Sequence, residues 1–189
     1  MGNLLQEPLP FLSRGVGQVA WVVQDVERAV QDYYRTFGIG DWVFYTYQKP
    51  FVPRMTYRGQ DVDYAMRVAL SYFGPMRVEF IEPLRGPSIN HEFVERARYG
   101  VQHLGFLVDD MESALADARS AGFEVIQDGA GFGLDGDGHY AYLDTAERFG
   151  TTFELIERPA RRRRPEKTYP EGHGEGHGAR HDSEGEQQQ

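Results

Sequence analysis

An internal repeat most limits what this chain can fold into. Residues 16–37 begin Val16-Gly17-Gln18-Val19-Ala20-Trp21-Val22-Val23-Gln24-Asp25-Val26 and close on Phe37-Gly38. Residues 101–122 begin Val101-Gln102-His103-Leu104-Gly105-Phe106-Leu107-Val108-Asp109-Asp110-Met111 and close on Ala121-Gly122. At an offset of 85 residues Gln18 falls on His103, Asp25 on Asp110 and Ala29 on Ala114. A second match sets Val78-Glu79-Phe80-Ile81-Glu82 on Phe153-Glu154-Leu155-Ile156-Glu157, 75 residues on. Each copy thus carries a polar or acidic residue inside an apolar run, at corresponding points.

Periodicity gives the elements of each copy. Val16–Val23 is apolar and β-branched, as a strand is, and Asp25 is a natural N-cap for a helix reaching Phe37. On that helix Val26, Ala29, Val30 and Tyr33 recur at three- and four-residue steps, one buried face. Strands are predicted near Trp42–Tyr47, Asp63–Tyr72 and Met76–Glu82, with a hairpin turn at Gly74-Pro75. The first half reads βαβββ. Pro83 to Gly100 is a connector with a short helix near Ile89–Arg96. The pattern then restarts with a strand Val101–Val108, a helix from Asp110 to about Ala121, and strands near Phe123–Gln127, His139–Asp144 and Thr151–Glu157. The glycine-rich stretch Asp128–Gly138 reads as a loop. The expected class is α+β, with paired βαβββ modules forming a metal-binding cleft.

The predicted organisation is a leader (1–13), a domain over 14–158 with modules at 14–85 and 100–158, and a tail. That tail, 160–189, reads as disordered: an Arg161–Arg164 run, then glycine, glutamate, histidine and glutamine without apolar periodicity. His173, His177 and His181 recur every four residues, but intervening glycines oppose a helix that would align them.

Composition removes whole classes. Of 189 residues, 40% are hydrophobic and 13% aromatic, enough for a core. A formal charge of −9 argues against a nucleic-acid binder, since phosphate recognition needs a net basic face. The chain has no cysteine, which excludes disulfides, thiolate catalysis and Cys-type zinc sites. Neither a signal pattern nor an apolar run of membrane-spanning length is present, so a cytoplasmic protein without membrane contact is expected.

Alternation puts Gln18 on one strand face with Val16, Ala20 and Val22, and His103 on one with Val101, Gly105 and Leu107. A Gln or His in such surroundings needs hydrogen-bond partners or a metal. If an approximate two-fold axis relates the modules, the first strands bring Gln18 near His103 and the last strands bring Glu79 near Glu154. Two carboxylates, an imidazole and an amide oxygen then converge as metal ligands. This sulfur-free set suits Zn²⁺, Ni²⁺, Co²⁺, Mn²⁺ or Fe²⁺. Taken singly, each residue also has an ordinary structural explanation; the repetition is what favours a site.

On these residues 14–158 resembles the vicinal oxygen chelate superfamily, which includes glyoxalase I, methylmalonyl-CoA epimerase, extradiol dioxygenases and antibiotic-resistance binding proteins. The resemblance implies paired βαβββ modules around a divalent metal, with ligands from the first and last strands of each module. The set Gln18, Glu79, His103, Glu154 is similar to that of some glyoxalase I enzymes. The stretches Gly86-Pro87-Ser88-Ile89 and Tyr99 through Asp110 look more like the epimerase branch. Departures narrow this. Gln18 stands where the dioxygenases place a His, which disfavours oxygen activation. Val22 and Pro83 stand where glutathione-dependent glyoxalase I has Arg and Asn.

The resemblance implies a metal-dependent isomerase or lyase of the glyoxalase or epimerase type. It would act through a metal-stabilised enolate on a small carbonyl compound or thioester. The alternative is a non-catalytic, resistance-type binding protein, or, less favoured, an Fe(II) dioxygenase. Glu154 is the first choice of catalytic base and Glu79 the second; otherwise both are static ligands and the base is His139, Asp61 or Asp63. Tyr47, Phe51, Met55 and Tyr57, with His139-Tyr140-Ala141-Tyr142, form either an aromatic pocket or ordinary core. Arg54, Arg58, Arg67 and Arg77 serve either a substrate carboxylate or the surface. A homodimer is expected from the resemblance and from the need to cover sheet edges.

Overall fold

The structure, a computed structural model, describes residues 8–172. A 3₁₀ turn at Pro10–Leu12 precedes β1 (Gln18–Val22), α1 (Val26–Phe37) and β2 (Trp42–Tyr47). A hairpin of β3 (Arg54–Tyr57) and β4 (Gln60–Asp61) leads to β5 (Ala65–Phe73) and β6 (Met76–Arg85). The connector holds α2 (Ile89–Ala97). The second copy follows as β7 (Gly100–Val108), α3 (Met111–Ser120), β8 (Val125–Ala130), β9 (His139–Leu143), a short α4 (Ala146–Phe149) and β10 (Thr152–Glu157). A last strand, β11, covers Lys167–Tyr169.

The helices begin where the sequence predicts. The Asp25 side chain accepts a hydrogen bond from the Arg28 N–H at 2.9 Å, and Asp110 accepts one from Ser113 at 3.0 Å. Gly38 ends α1 in the left-handed conformation at φ 71°, which an L side chain resists.

One curled mixed sheet contains the eleven described strands, in the order β11-β2-β5-β6-β1-β7-β10-β9-β8-β3-β4. Within each copy the first and last strands run parallel: β1 beside β6, and β7 beside β10. The copies meet where β1 and β7 pair antiparallel. Helix α1 covers the first half with Val26 and Val30 against Trp42, Phe44 and Phe80. Helix α3 covers the second with Met111, Leu115 and Ala118 against Phe106 and Leu155. The third cluster packs in the curl of the sheet, where Tyr47, Tyr140 and Tyr142 face the cleft and Met55 and Tyr64 pack with them. No described helix is long and apolar enough to cross a membrane.

Two expectations need correction. Asp128–Ala130, expected in a glycine loop, belong to β8, because β3 pairs there and supplies their backbone partners. Residues 160–172 of the tail expected to be disordered are ordered. Its backbone is tied down at Leu134 N–H to Arg161 O, 3.0 Å, and at Glu166 N–H to Phe44 O, 2.9 Å. Lys167–Tyr169 then pair with β2. Charge and missing apolar periodicity did not prevent this, because an edge strand needs only backbone partners. His173, His177 and His181 lie outside the described residues.

Candidate metal centre

The strand register carries the two-fold relation to the residues that matter. Across the β1–β7 seam Gln18 faces Gly105 and Ala20 faces His103. Alongside, Ala20 sits beside Glu79 on β6, and Gly105 sits beside Glu154 on β10. Exchanging the copies maps each pairing onto the other. Ala20 and Gly105 are therefore the equivalent small positions that leave room for the four polar groups. At Gly105 an added Cβ would lie 2.8 Å from Gln18 Cβ and 3.3 Å from Glu154 Oε2.

Gln18, Glu79, His103 and Glu154 meet at one point, and all four are buried. The Gln18 Nε2 donates to Glu79 Oε2 and to Glu154 Oε2, each at 2.9 Å. The His103 Nε2 lies 3.3 Å from Glu79 Oε2 and 3.1 Å from Glu154 Oε2. One donor atom from each of Glu79, His103 and Glu154 falls within 4.8 Å of the others, a span that could hold a metal ion. The Gln18 Nε2 is 3.5 Å from His103 Nε2, so a half-turn of the amide brings its oxygen to the same point.

The electrostatics fit a cation. Burial alone pushes the His103 imidazole down, but Glu154 and then Glu79 outweigh it and raise it to about 9. Burial raises the Glu154 carboxyl, and His103 opposes that rise. His103 Nδ1 is 2.6 Å from the Gln102 Oε1, and donating there leaves Nε2 to face the acids. Two carboxylates that face one amide and the His103 Nε2 form a donor set which a dication would complete. The deprotonated Nε2 then supplies its lone pair, as metal-ligating histidines do.

Tyr47, Tyr140, Tyr142 and Phe132 line the cleft above this point, with Arg77 at its side. Phe51 stacks on Tyr47 and Met55 is in the core behind. The other residues singled out in the sequence stand apart from the cleft. Asp61 pairs with Lys49 at 2.9 Å and Asp63 with Arg85 at 3.0 Å, both on the surface. His139 is held by Asp128 at 3.2 Å beside Arg54. Tyr57 bonds Glu92, which also pairs with Arg58 at 2.8 Å, and Arg67 pairs with Glu27 at 2.8 Å.

Sequence reasoning missed the far wall. Arg158, Pro159 and Arg162, from the segment that leaves β10, line the cleft. Pro159 is buried against the glycine loop, where a Cβ on Gly133 would meet it at 2.6 Å. The Arg163 Nε donates to the Phe132 carbonyl at 3.3 Å, and its guanidinium covers the Phe51 ring. The available signal was position: the arginine run begins only seven residues after Glu154.

A family model, the Glyoxalase/Bleomycin resistance protein/Dioxygenase superfamily, matches residues 17–142. No curated protein matches the sequence. Among solved structures the chain is similar to methylmalonyl-CoA epimerase from Mycobacterium tuberculosis, at 20% identity and TM-score 0.54, over 77% of this chain and 88% of that one. It is similar to a variant of the Streptomyces coelicolor methylmalonyl-CoA epimerase in complex with 2-nitronate-propionyl-CoA, at 20% identity and TM-score 0.56, over 78% and 96%. A hypothetical protein from Bacillus halodurans C-125 matches at 16% identity and TM-score 0.54, over 78% and 96%. At such identities the likeness speaks for the fold. With two thirds of the sequence inside the family model and the paired modules in its structure, this chain belongs to the glyoxalase/bleomycin resistance protein/dioxygenase superfamily.

Proposed function

We propose that the chain is a divalent-metal-dependent isomerase or lyase of the glyoxalase or epimerase type, acting on a small carbonyl compound or thioester. The observation that carries this reading is the meeting of two buried carboxylates, an imidazole and an amide inside one cleft. Gln18, Glu79, His103 and Glu154 would hold Zn²⁺, Ni²⁺, Co²⁺, Mn²⁺ or Fe²⁺. When bound, such a metal supplies Lewis-acid polarisation of a substrate carbonyl. The chain's own part is proton transfer. Glu154, whose carboxyl burial raises, takes a proton from the carbon beside that carbonyl, with Glu79 as the second base. Thioesters are included because structures of this fold are named methylmalonyl-CoA epimerases. Homodimerisation rests on family resemblance; all four groups of the proposed centre come from one chain.

A second reading, a binding protein without chemistry, draws on the aromatic lining, in which Tyr47, Phe132, Tyr140 and Tyr142 face the cleft. The cavity above the four groups is about 20 Å³, room for roughly one water. Metal analysis of untagged protein, followed by a proton–deuterium exchange screen over carbonyl acids and thioesters, separates the two. Bound metal with exchange that E154Q or E79Q abolishes supports the enzyme. Stoichiometric ligand binding without metal or exchange would establish the binding protein.

A further inference from the structure

One stretch of chain separates the cavity above the four polar groups from solvent. Of the residues that line this cavity, Arg158 and Arg162 are exposed and every other one is buried. Both arginines belong to the segment that leaves β10 and joins the edge of the first module as β11. Arg162 is exposed overall, yet its guanidinium reaches Tyr45 and stands near Tyr47. Together with Arg77 it offsets the charges of Glu79 and Glu154, which line the same cavity. With this segment in place about 20 Å³ remains. Pockets that receive organic molecules run to roughly 300–1,000 Å³. Something must move before a ligand can enter.

Two firm points bracket residues 160–166. Pro159 is buried against the glycine loop. At the other end β11 pairs with β2, Tyr169 stands edge-on to Tyr34, and Lys167 bonds Glu27 at 2.6 Å. Between these points no residue is buried. The contacts there are polar and lie on the rim. Ala160 N–H donates to Asp137 at 2.6 Å, and Arg161 Nε to Asp135 at 2.8 Å. Arg163 Nε donates to the Phe132 carbonyl and Tyr45 OH to the Arg163 carbonyl, each at 3.3 Å. Thr46 N–H and Oγ1 donate to the Glu166 carboxylate at 2.8 and 2.9 Å. Exposed pairs of this kind each contribute little, and a stretch without buried apolar contacts opens well below the cost of global unfolding. Arg77 works in the same direction. With burial it brings Arg162 down to about 10, so the closed position disfavours the charge Arg162 carries.

We propose that residues 160–166 are an autoinhibitory strap, which shuts the cleft and lifts between Pro159 and β11 to admit a ligand. The strap regulates the cleft assigned above as the working site and rests on that assignment, but not on the chemistry carried out there.

The chain has no cysteine, so a single introduced thiol reports access without background. Leu70 is 4% exposed, lines the cavity and lies opposite Glu79 in the β5–β6 pairing. In the full-length L70C chain, the rate of labelling by iodoacetamide measures how often the cleft opens. E166A removes the carboxylate that Thr46 holds, at an exposed position, and should raise that rate about tenfold. D110A, which loosens α3 away from the strap, should leave it unchanged. A rate that E166A does not alter overturns the proposal, because entry then lies elsewhere. A rise as large with D110A also overturns it, because global unfolding then exposes the thiol. Hydrogen exchange on the chain without the thiol is the second readout. The Glu166 N–H, bonded to Phe44, and the Leu134 N–H, bonded to Arg161, should exchange at least about tenfold faster than the amides of β7. Protection equal to that of β7 means a permanent wall and overturns the strap. Neither readout involves metal or turnover, so failure of the strap and failure of the metal-dependent reading are separate results.

Discussion

His103 carries the proton that a metal must displace. Burial opposes its charge, yet Glu154 and Glu79 hold the imidazole up to about 9, so below that pH the metal-free site is protonated. Metal requires the neutral ring, and so its apparent affinity should fall by about tenfold for each pH unit below 9. Calorimetry in two buffers of different ionisation enthalpy would show a proton released near pH 7.5; affinity that is flat from pH 6 to 8 contradicts the assignment. The Gln102 side chain matters through the same ring. Its Oε1, 2.6 Å from Nδ1, fixes which nitrogen faces the acids. Q102L should weaken Mn²⁺ binding roughly 10- to 100-fold without unfolding the protein. Gly105 limits the site differently. Its Cβ position is 2.8 Å from both Gln18 Cβ and Ile156 Cδ1, two atoms that packing fixes. G105A should therefore cost about 1–3 kcal/mol in denaturant unfolding and shift Gln18.

At the scale of elements, what repeats in the sequence repeats in the structure. Asp25 and Asp110, 85 residues apart, cap α1 and α3 through the same side-chain bond to the third residue on. D25A and D110A should each lower unfolding free energy by about 1 kcal/mol, read from the urea midpoint. Unequal costs would show that one helix is held mainly by its packing. Elements without a repeat were harder to read. β3 and β4 were absent from the expected βαβββ pattern because four- and two-residue strands around Arg58-Gly59 show no alternation. Strand β11 was hidden for a related reason: Lys167-Thr168-Tyr169 is three residues inside a charged tail, and its partner is the far-off strand β2, where Lys167 pairs with Phe44 and Tyr169 with Trp42. β4 and β11 are the two end strands of the sheet.

For the whole molecule, the same difference separates the half of the site that could be read from the half that could not. Gln18, Glu79, His103 and Glu154 stood out because a two-fold copy fixes where they go, and the strand register obeys that symmetry. Arg158, Pro159 and Arg162 break the symmetry, since only one module has a strand followed by a crossing segment. No pattern in the chain says where such a segment comes to rest. The four groups come from β1, β6, β7 and β10, two strands of each module, so a metal bound there ties the two halves across their seam. Any ligand that binds the folded state alone stabilises it by mass action, about 2.7 kcal/mol at one hundred times Kd. For a domain of this size that corresponds to a rise in Tm of roughly 5–10 °C. Differential scanning fluorimetry with Mn²⁺ should show the rise in the parent and none in the doubly substituted E79Q/E154Q chain. A rise that survives the double substitution would mean the ion binds elsewhere, and the convergence of these four side chains would then be ordinary hydrogen bonding across a buried seam.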